Sequence, residues 1–119
     1  MRRLGKSEFH RNRSTRIMSS TPVEEGLSKK AILVHRALAS LQEELEAIDF
    51  YNQRADLTGE DSLKAVLDHN RDDEMEHAVM LLEWVRREMP EFDVQLRKIL
   101  FQSGSIVDLA KAKSALEDK

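Results

Sequence analysis

Two long stretches of helical periodicity, separated by one short break, constrain this chain more than any other feature. In the first, Val34, Leu38, Leu41, Leu45 and Ile48 recur at three-four spacing, which traces one face of a helix. Ser28 is a good N-cap for it, and the pattern runs to about residue 55. Residues 57–61 contain Thr58-Gly59 and read as a tight turn. Asp61 or Ser62 is suited to cap the next helix, predicted over residues 62–89, with Pro90 marking its end. Helices this long joined by so short a turn must fold back on each other, so the expected class is all-α, built on an antiparallel two-helix hairpin.

The remainder is less regular. A shorter third helix is predicted over 92–101 from Val94, Leu96, Ile99 and Leu100, with Ser103-Gly104 breaking it. The expected organisation is therefore a tail over 1–26, a helical hairpin with its short third helix over 27–102, and a weakly amphipathic closing segment over 103–119. The tail carries Arg2, Arg3, Lys6, Arg11, Arg13 and Arg16 against Glu8, and its Gly, Ser and Pro residues give no sustained period. Aromatic residues do not interleave with these bases as base stacking requires, so a nucleic-acid partner is not expected, and Met18 offers an alternative start. Beyond residue 16, thirteen basic residues face twenty-one acidic ones, a balance that attracts cations.

Charged residues make up 34% of the chain and aromatics 5%, which favours helices over a β-sandwich. A core this thin makes self-association an expected remedy. Cysteine is absent, so any metal must be held by His, Asp, Glu or backbone oxygen. No apolar run is long enough to span a bilayer and no signal-peptide pattern is present, so the expectation is a cytoplasmic protein without a membrane partner.

What interrupts the apolar stripes points to chemistry. The second helix reads Leu63, Leu67, Asn70, Glu74, His77, Leu81, Trp84 along one face, apolar at its ends but with Glu74 and His77 in its middle. The first places Glu44 in the series Ala37, Leu41, Glu44, Ile48, Tyr51. A carboxylate among apolar neighbours costs several kcal/mol without a partner. A cation answers that need, and so does a salt bridge to a nearby Arg. Carboxylate-bridged di-iron bundles take a Glu from each of two helices and a Glu-x-x-His from each of two others. This chain offers one of each, half a site, which an isologous dimer would complete as a four-helix bundle with four carboxylates and two imidazoles. That donor set suits iron better than zinc, whose closed sites use four N or S ligands per ion.

At these residues the sequence resembles the encapsulated ferritins, ferritin-like ferroxidases that work inside encapsulin nanocompartments. The resemblance is carried by Glu43-Glu44-Leu45-Glu46-Ala47-Ile48-Asp49-Phe50-Tyr51-Asn52-Gln53-Arg54, by His69-Asn70-Arg71-Asp72-Asp73-Glu74-Met75-Glu76-His77, and by Leu82-Glu83-Trp84-Val85-Arg86-Arg87. It covers roughly residues 28–102. It implies a ferroxidase that oxidises Fe(II) to Fe(III) at a di-iron centre formed between two subunits, feeding iron storage within an encapsulin shell. Glu44, Glu74 and His77 match the ferroxidase ligands, Tyr51 an aromatic position close to the metals, and Glu43 and Glu46 acidic residues through which metal enters. The resemblance further implies a decameric ring of five dimers. Phe50 stands where family members often carry Trp, and the family's C-terminal targeting motif is not legible before Leu116-Glu117-Asp118-Lys119.

Among the other polar residues, His69 reads as a surface histidine, with a proton or iron relay as its functional alternative. His35 and His10 have no convincing partner, and Asp72, Asp73 and Glu76 read as a solvated acidic face. Trp84 and the methionines of the second helix read as core or interface packing. Two rival functions stand beside the ferroxidase. One is a non-catalytic oligomerisation hairpin with Glu44 and Glu74 paired to Arg. The other is a di-iron peroxidase of the rubrerythrin kind, which lacks here any Cys site to deliver electrons.

Overall fold

The structure, a computed structural model, describes residues 24–112. The basic tail, the start at Met18 and the last residues of the closing segment lie outside the described residues. All regular secondary structure among the described residues is helical: α1 spans Lys29–Leu57, α2 Asp61–Glu88, α3 Pro90–Ile99 and α4 Ile106–Lys111. None of these helices is long and apolar enough to cross a membrane.

Ser28 caps α1 as its sequence position suggests. Its backbone is extended and its hydroxyl accepts from the Ala31 N–H at 3.1 Å, satisfying one of the helix's open donors. α1 continues to Leu57, where the Thr58 N–H donates to the Arg54 carbonyl at 3.0 Å. The cap of α2 is neither Asp61 nor Ser62 but Glu60. Its carboxylate accepts from the Leu63 N–H at 2.7 Å, the Ser62 N–H at 3.1 Å and the Ser62 hydroxyl at 2.6 Å. Its carbonyl accepts the first intrahelical bond, from the Lys64 N–H at 2.9 Å. The Ser62 hydroxyl and these backbone donors favour the charged form and hold the Glu60 carboxyl below its ordinary value. Glu is a weak statistical choice at this position. It succeeds because Thr58 Oγ1 accepts from the Glu60 N–H at 3.3 Å, which turns the backbone so that the longer side chain reaches forward.

The pairing of α1 with α2 is antiparallel. Asn52 meets Arg71 near the turn, and Glu44 meets His77 farther from it, so residue numbers fall along one helix as they rise along the other. The buried residues of the hairpin before Glu83 are small, Ala39 and Ala55 on α1 and Ala78 on α2, with Leu41, Ile48 and Leu67 half-buried. Methyl groups at the contact let two helix backbones approach closely.

The chain divides into two compact units inside α2, between Leu82 and Glu83. In the second unit Val85 is completely buried. Pro90 ends α2 and opens α3 at its first helical position, where the missing N–H costs nothing. This is why α3 starts two residues ahead of the expected 92–101 helix. Arg86 is the centre of an ionic cluster here: its Nε and Nη2 donate to the two Glu83 oxygens at 2.7 and 2.8 Å, and its Nη1 donates to Asp93 Oδ1. Arg87 adds a bond to Glu83 at 2.7 Å, and Arg97 one to Asp93 at 2.9 Å. α3 ends at Ile99, with the Leu100 N–H donating to the Leu96 carbonyl at 2.8 Å, and Phe101 follows it, fully exposed in the left-handed region with φ 61°. α3 packs against α4, whose cap is Ser105, accepting from the Asp108 N–H at 3.3 Å.

Candidate metal centre

The hairpin brings together the three residues that interrupted the apolar stripes. One ligating atom each from Glu44, Glu74 and His77 lies within 4.8 Å of the others. His77 Nδ1 is 3.4 Å from Glu74 Oε2 and 3.6 Å from Glu44 Oε2. Glu74 and His77 meet because a spacing of three residues puts them one turn apart on one face of α2. Glu44 joins them from α1 because the antiparallel register carries it opposite His77. The two carboxylates are largely covered, at 24% and 25% side-chain exposure, while the imidazole is 52% exposed.

The charge state of this cluster is unbalanced. Among the described residues, both Glu44 and Glu74 pair with His77 and with no Arg or Lys. Glu44 Oε2 is buried without a hydrogen bond. An uncompensated carboxylate oxygen costs free energy that a cation at the same spot would recover. Two hard oxygen donors and one borderline nitrogen suit a ferrous or ferric ion. A salt bridge to a nearby Arg is the alternative the sequence left open, and among the described residues no arginine pairs with Glu44 or Glu74.

The other residues singled out from the sequence fall around this cluster rather than in it. Tyr51 lies two turns beyond Glu44 on the same side of α1, half-buried, with the Arg54 guanidinium 6.0 Å above its ring and 5.7 Å above that of Phe50. Glu43 and Glu46 are half-buried on α1 and do not belong to the three-ligand group. His69 is exposed on α2, 3.3 Å from the Asp73 carboxylate, in keeping with a surface histidine. His35 is half-buried, with its Nε2 covered and unbonded. Met75, Met80 and Trp84 are exposed in a single copy, so they are not core residues of the lone chain.

Sequence reasoning missed the link between Asn52 and Arg71, where Arg71 Nη1 donates to Asn52 Oδ1 at 3.0 Å. Counting outward from the turn at 58–60 puts Asn52 six residues before it and Arg71 eleven after it, so spacing alone did not signal the pair.

The chain resembles known proteins over most of its length. The EncFtn-like family matches residues 19–103. A ferritin-like protein of Thermotoga maritima is 47% identical over 93 residues, covering 78% of this chain and 81% of that protein. An encapsulated ferritin-like protein of Rhodospirillum rubrum is 45% identical over the same length, which is 66% of that relative. The crystal structure of protein ne0167 from Nitrosomonas europaea superposes with a TM-score of 0.67 at 52% identity, covering 72% of this chain and 93% of that one. With its hairpin, its Glu/Glu/His group and a family match spanning most of its residues, the chain belongs to the EncFtn-like family.

Proposed function

We propose that this chain is a ferroxidase whose working centre is completed by a second copy, with ferrous iron as substrate. The observation that carries the reading is the convergence of three mid-helix donors within 4.8 Å, with a buried carboxylate oxygen left unbonded. One copy supplies too few donors for two ions, and an isologous partner doubles the set to four carboxylates and two imidazoles. The face of α2 that bears His77 also bears exposed Leu63, Val66 and Met80, apolar surface suited to that partner.

In this reading Glu44, Glu74 and His77, with their symmetry equivalents, would hold the two ions. Two ferrous ions bound there would each give up one electron to a shared oxidant. Dioxygen takes both electrons with two protons and leaves as hydrogen peroxide, and two ferric ions are the product. Glu43 and Glu46 draw ferrous iron toward the site along α1, and Tyr51 borders it. The ferritin-like relatives support iron as the metal, and the name of the Rhodospirillum relative supports an encapsulin shell as partner; the assembly in this reading is a ring of five dimers.

Aerobic ferrous titration of the full chain, followed by near-ultraviolet ferric absorbance, tests the proposal. Rapid growth in the wild type, lost in Glu44→Ala and His77→Ala with helical circular dichroism retained, is the expected result. Undiminished oxidation in both variants removes these residues from the chemistry. A wild type without ferric growth favours the rival oligomerisation hairpin.

A further inference from the structure

The most covered residues of the first unit, Ala39, Ala55 and Ala78, are small, and larger apolar side chains such as Leu41, Ile48 and Leu67 are only half-buried. Deeply interlocked large side chains select one register, whereas small and half-covered ones leave more room to slide. A metal site has no such tolerance. Its ligands must be held within about 0.5 Å, while a slip of one residue moves a helix by about 1.5 Å. Something directional has to fix α1 against α2.

We infer that Arg71 is a positioning residue for the Glu44, Glu74 and His77 group, with Asn52 as its anchor on the opposite helix. Arg71 Nη1 donates to Asn52 Oδ1 at 3.0 Å across the hairpin. On its own helix the guanidinium is braced by Asp72, whose Oδ1 accepts from Nε at 3.2 Å, and by Asp68, whose Oδ1 lies 3.4 Å from Nη1. Oxygens on both helices thus fix its direction, and three-quarters of its side chain is covered, at 25% exposure. A planar fork held in this way transmits position better than a flexible ammonium. Arg71 lies one turn before Glu74, about 4.5 Å along α2, and Asn52 about two turns beyond Glu44, about 12 Å along α1, so brace and ligands share one helix contact. Losing the brace lets α1 slide, which carries Glu44 away from the pair on α2. The inference rests on reading that trio as a cation site.

Cobalt(II) titration of the full chain, followed by visible ligand-field absorption, tests both statements separately. Asn52→Ala is expected to weaken cobalt binding about tenfold or more and to alter the band intensities, the scale typical of lost outer supports. Asn52→Asp keeps an oxygen acceptor for Arg71 and is expected to restore both. The combined Asn52→Ala/Arg71→Ala variant should lose no more than either change alone. Circular dichroism melts on the same samples check folding, and if Arg71→Ala does not fold, the two Asn52 variants decide alone. Wild-type affinity and spectrum in Asn52→Ala overturn the inference, as does equal weakening in Asn52→Ala and Asn52→Asp. Glu44→Ala separates the readings: cobalt binding by the wild type that this change abolishes upholds the cation site whatever Asn52 does. A wild type that binds no cobalt overturns both.

Discussion

His77 Nδ1 on α2 stands 3.6 Å from Glu44 Oε2 on α1, and that oxygen is covered without any hydrogen bond. Without a cation the hairpin would carry there a carboxylate whose negative charge is poorly answered. Glu44→Gln keeps the shape and removes the charge, so the metal-free variant should melt at or above the wild-type temperature. Added ferrous iron under nitrogen should reverse the order. A ligand at a hundred times its dissociation constant stabilises by about 2.7 kcal/mol, and only the wild type should gain it. Scanning calorimetry with and without metal checks this, and an equal gain in both proteins would count against Glu44 as a ligand.

The acid response should be set by the cluster around Arg86. Hydrogen bonds from Arg86 and Arg87 hold the Glu83 carboxyl down at about 2, and Arg86 with Arg97 lowers that of Asp93. Carboxyls depressed in the folded state contribute above their ordinary range and lose that contribution as pH falls through the folded values. For Glu83 the window runs from about 4.5 down to about 2. The protection of α3 amides, exchange taken relative to its intrinsic rate, should fall through this window in the wild type. In Arg86→Ala that protection should already be low at neutral pH and change less with acid. Identical pH profiles would remove the cluster from the account.

Helix α1 begins on a single hydroxyl. Ser28→Ala withdraws the acceptor for the Ala31 N–H and should cost about 1 kcal/mol in urea unfolding. Asp at this position should restore the loss, because its carboxylate accepts the same bond and favours the helix N-terminus. A Ser28→Ala protein as stable as the wild type would show that the cap is idle.

Association should depend on the side of α2 that carries His77. Met80 is exposed one turn beyond His77, so Met80→Asp puts a charge where a second copy is proposed to pack. Light scattering should then report monomers while circular dichroism still reports helices. Unchanged oligomers would move the interface elsewhere on the surface.

Much of this was legible in the chain before its fold. Ser28, Thr58-Gly59 and Pro90 are local signals, and local chemistry is what spacing and propensity report well. Glu44, Glu74 and His77 stood out because they broke apolar stripes. Glu60 as a cap was not legible, because its side chain succeeds only on the backbone turn that Thr58 helps to set. The Arg86 cluster was equally hidden, since arginine beside glutamate on a helix reads as ordinary surface until Asp93 arrives from the next helix. Leu45 and Leu63 belong to stripes that periodicity assigns to a core, yet both are exposed. Periodicity reports which side of a helix avoids water, and it is silent on whether the cover comes from the same molecule.

The thin cover of the α1 and α2 contact has a consequence for how such a chain survives in solution. Among the described residues of the first unit only Ala39, Ala55 and Ala78 are buried, and larger side chains such as Leu41, Ile48 and Leu67 are half-covered, so an isolated copy hides little hydrocarbon from water. Dilution should then act as a denaturant: at low dose the copies would be caught open and exposed to proteases, while abundance itself would keep them whole.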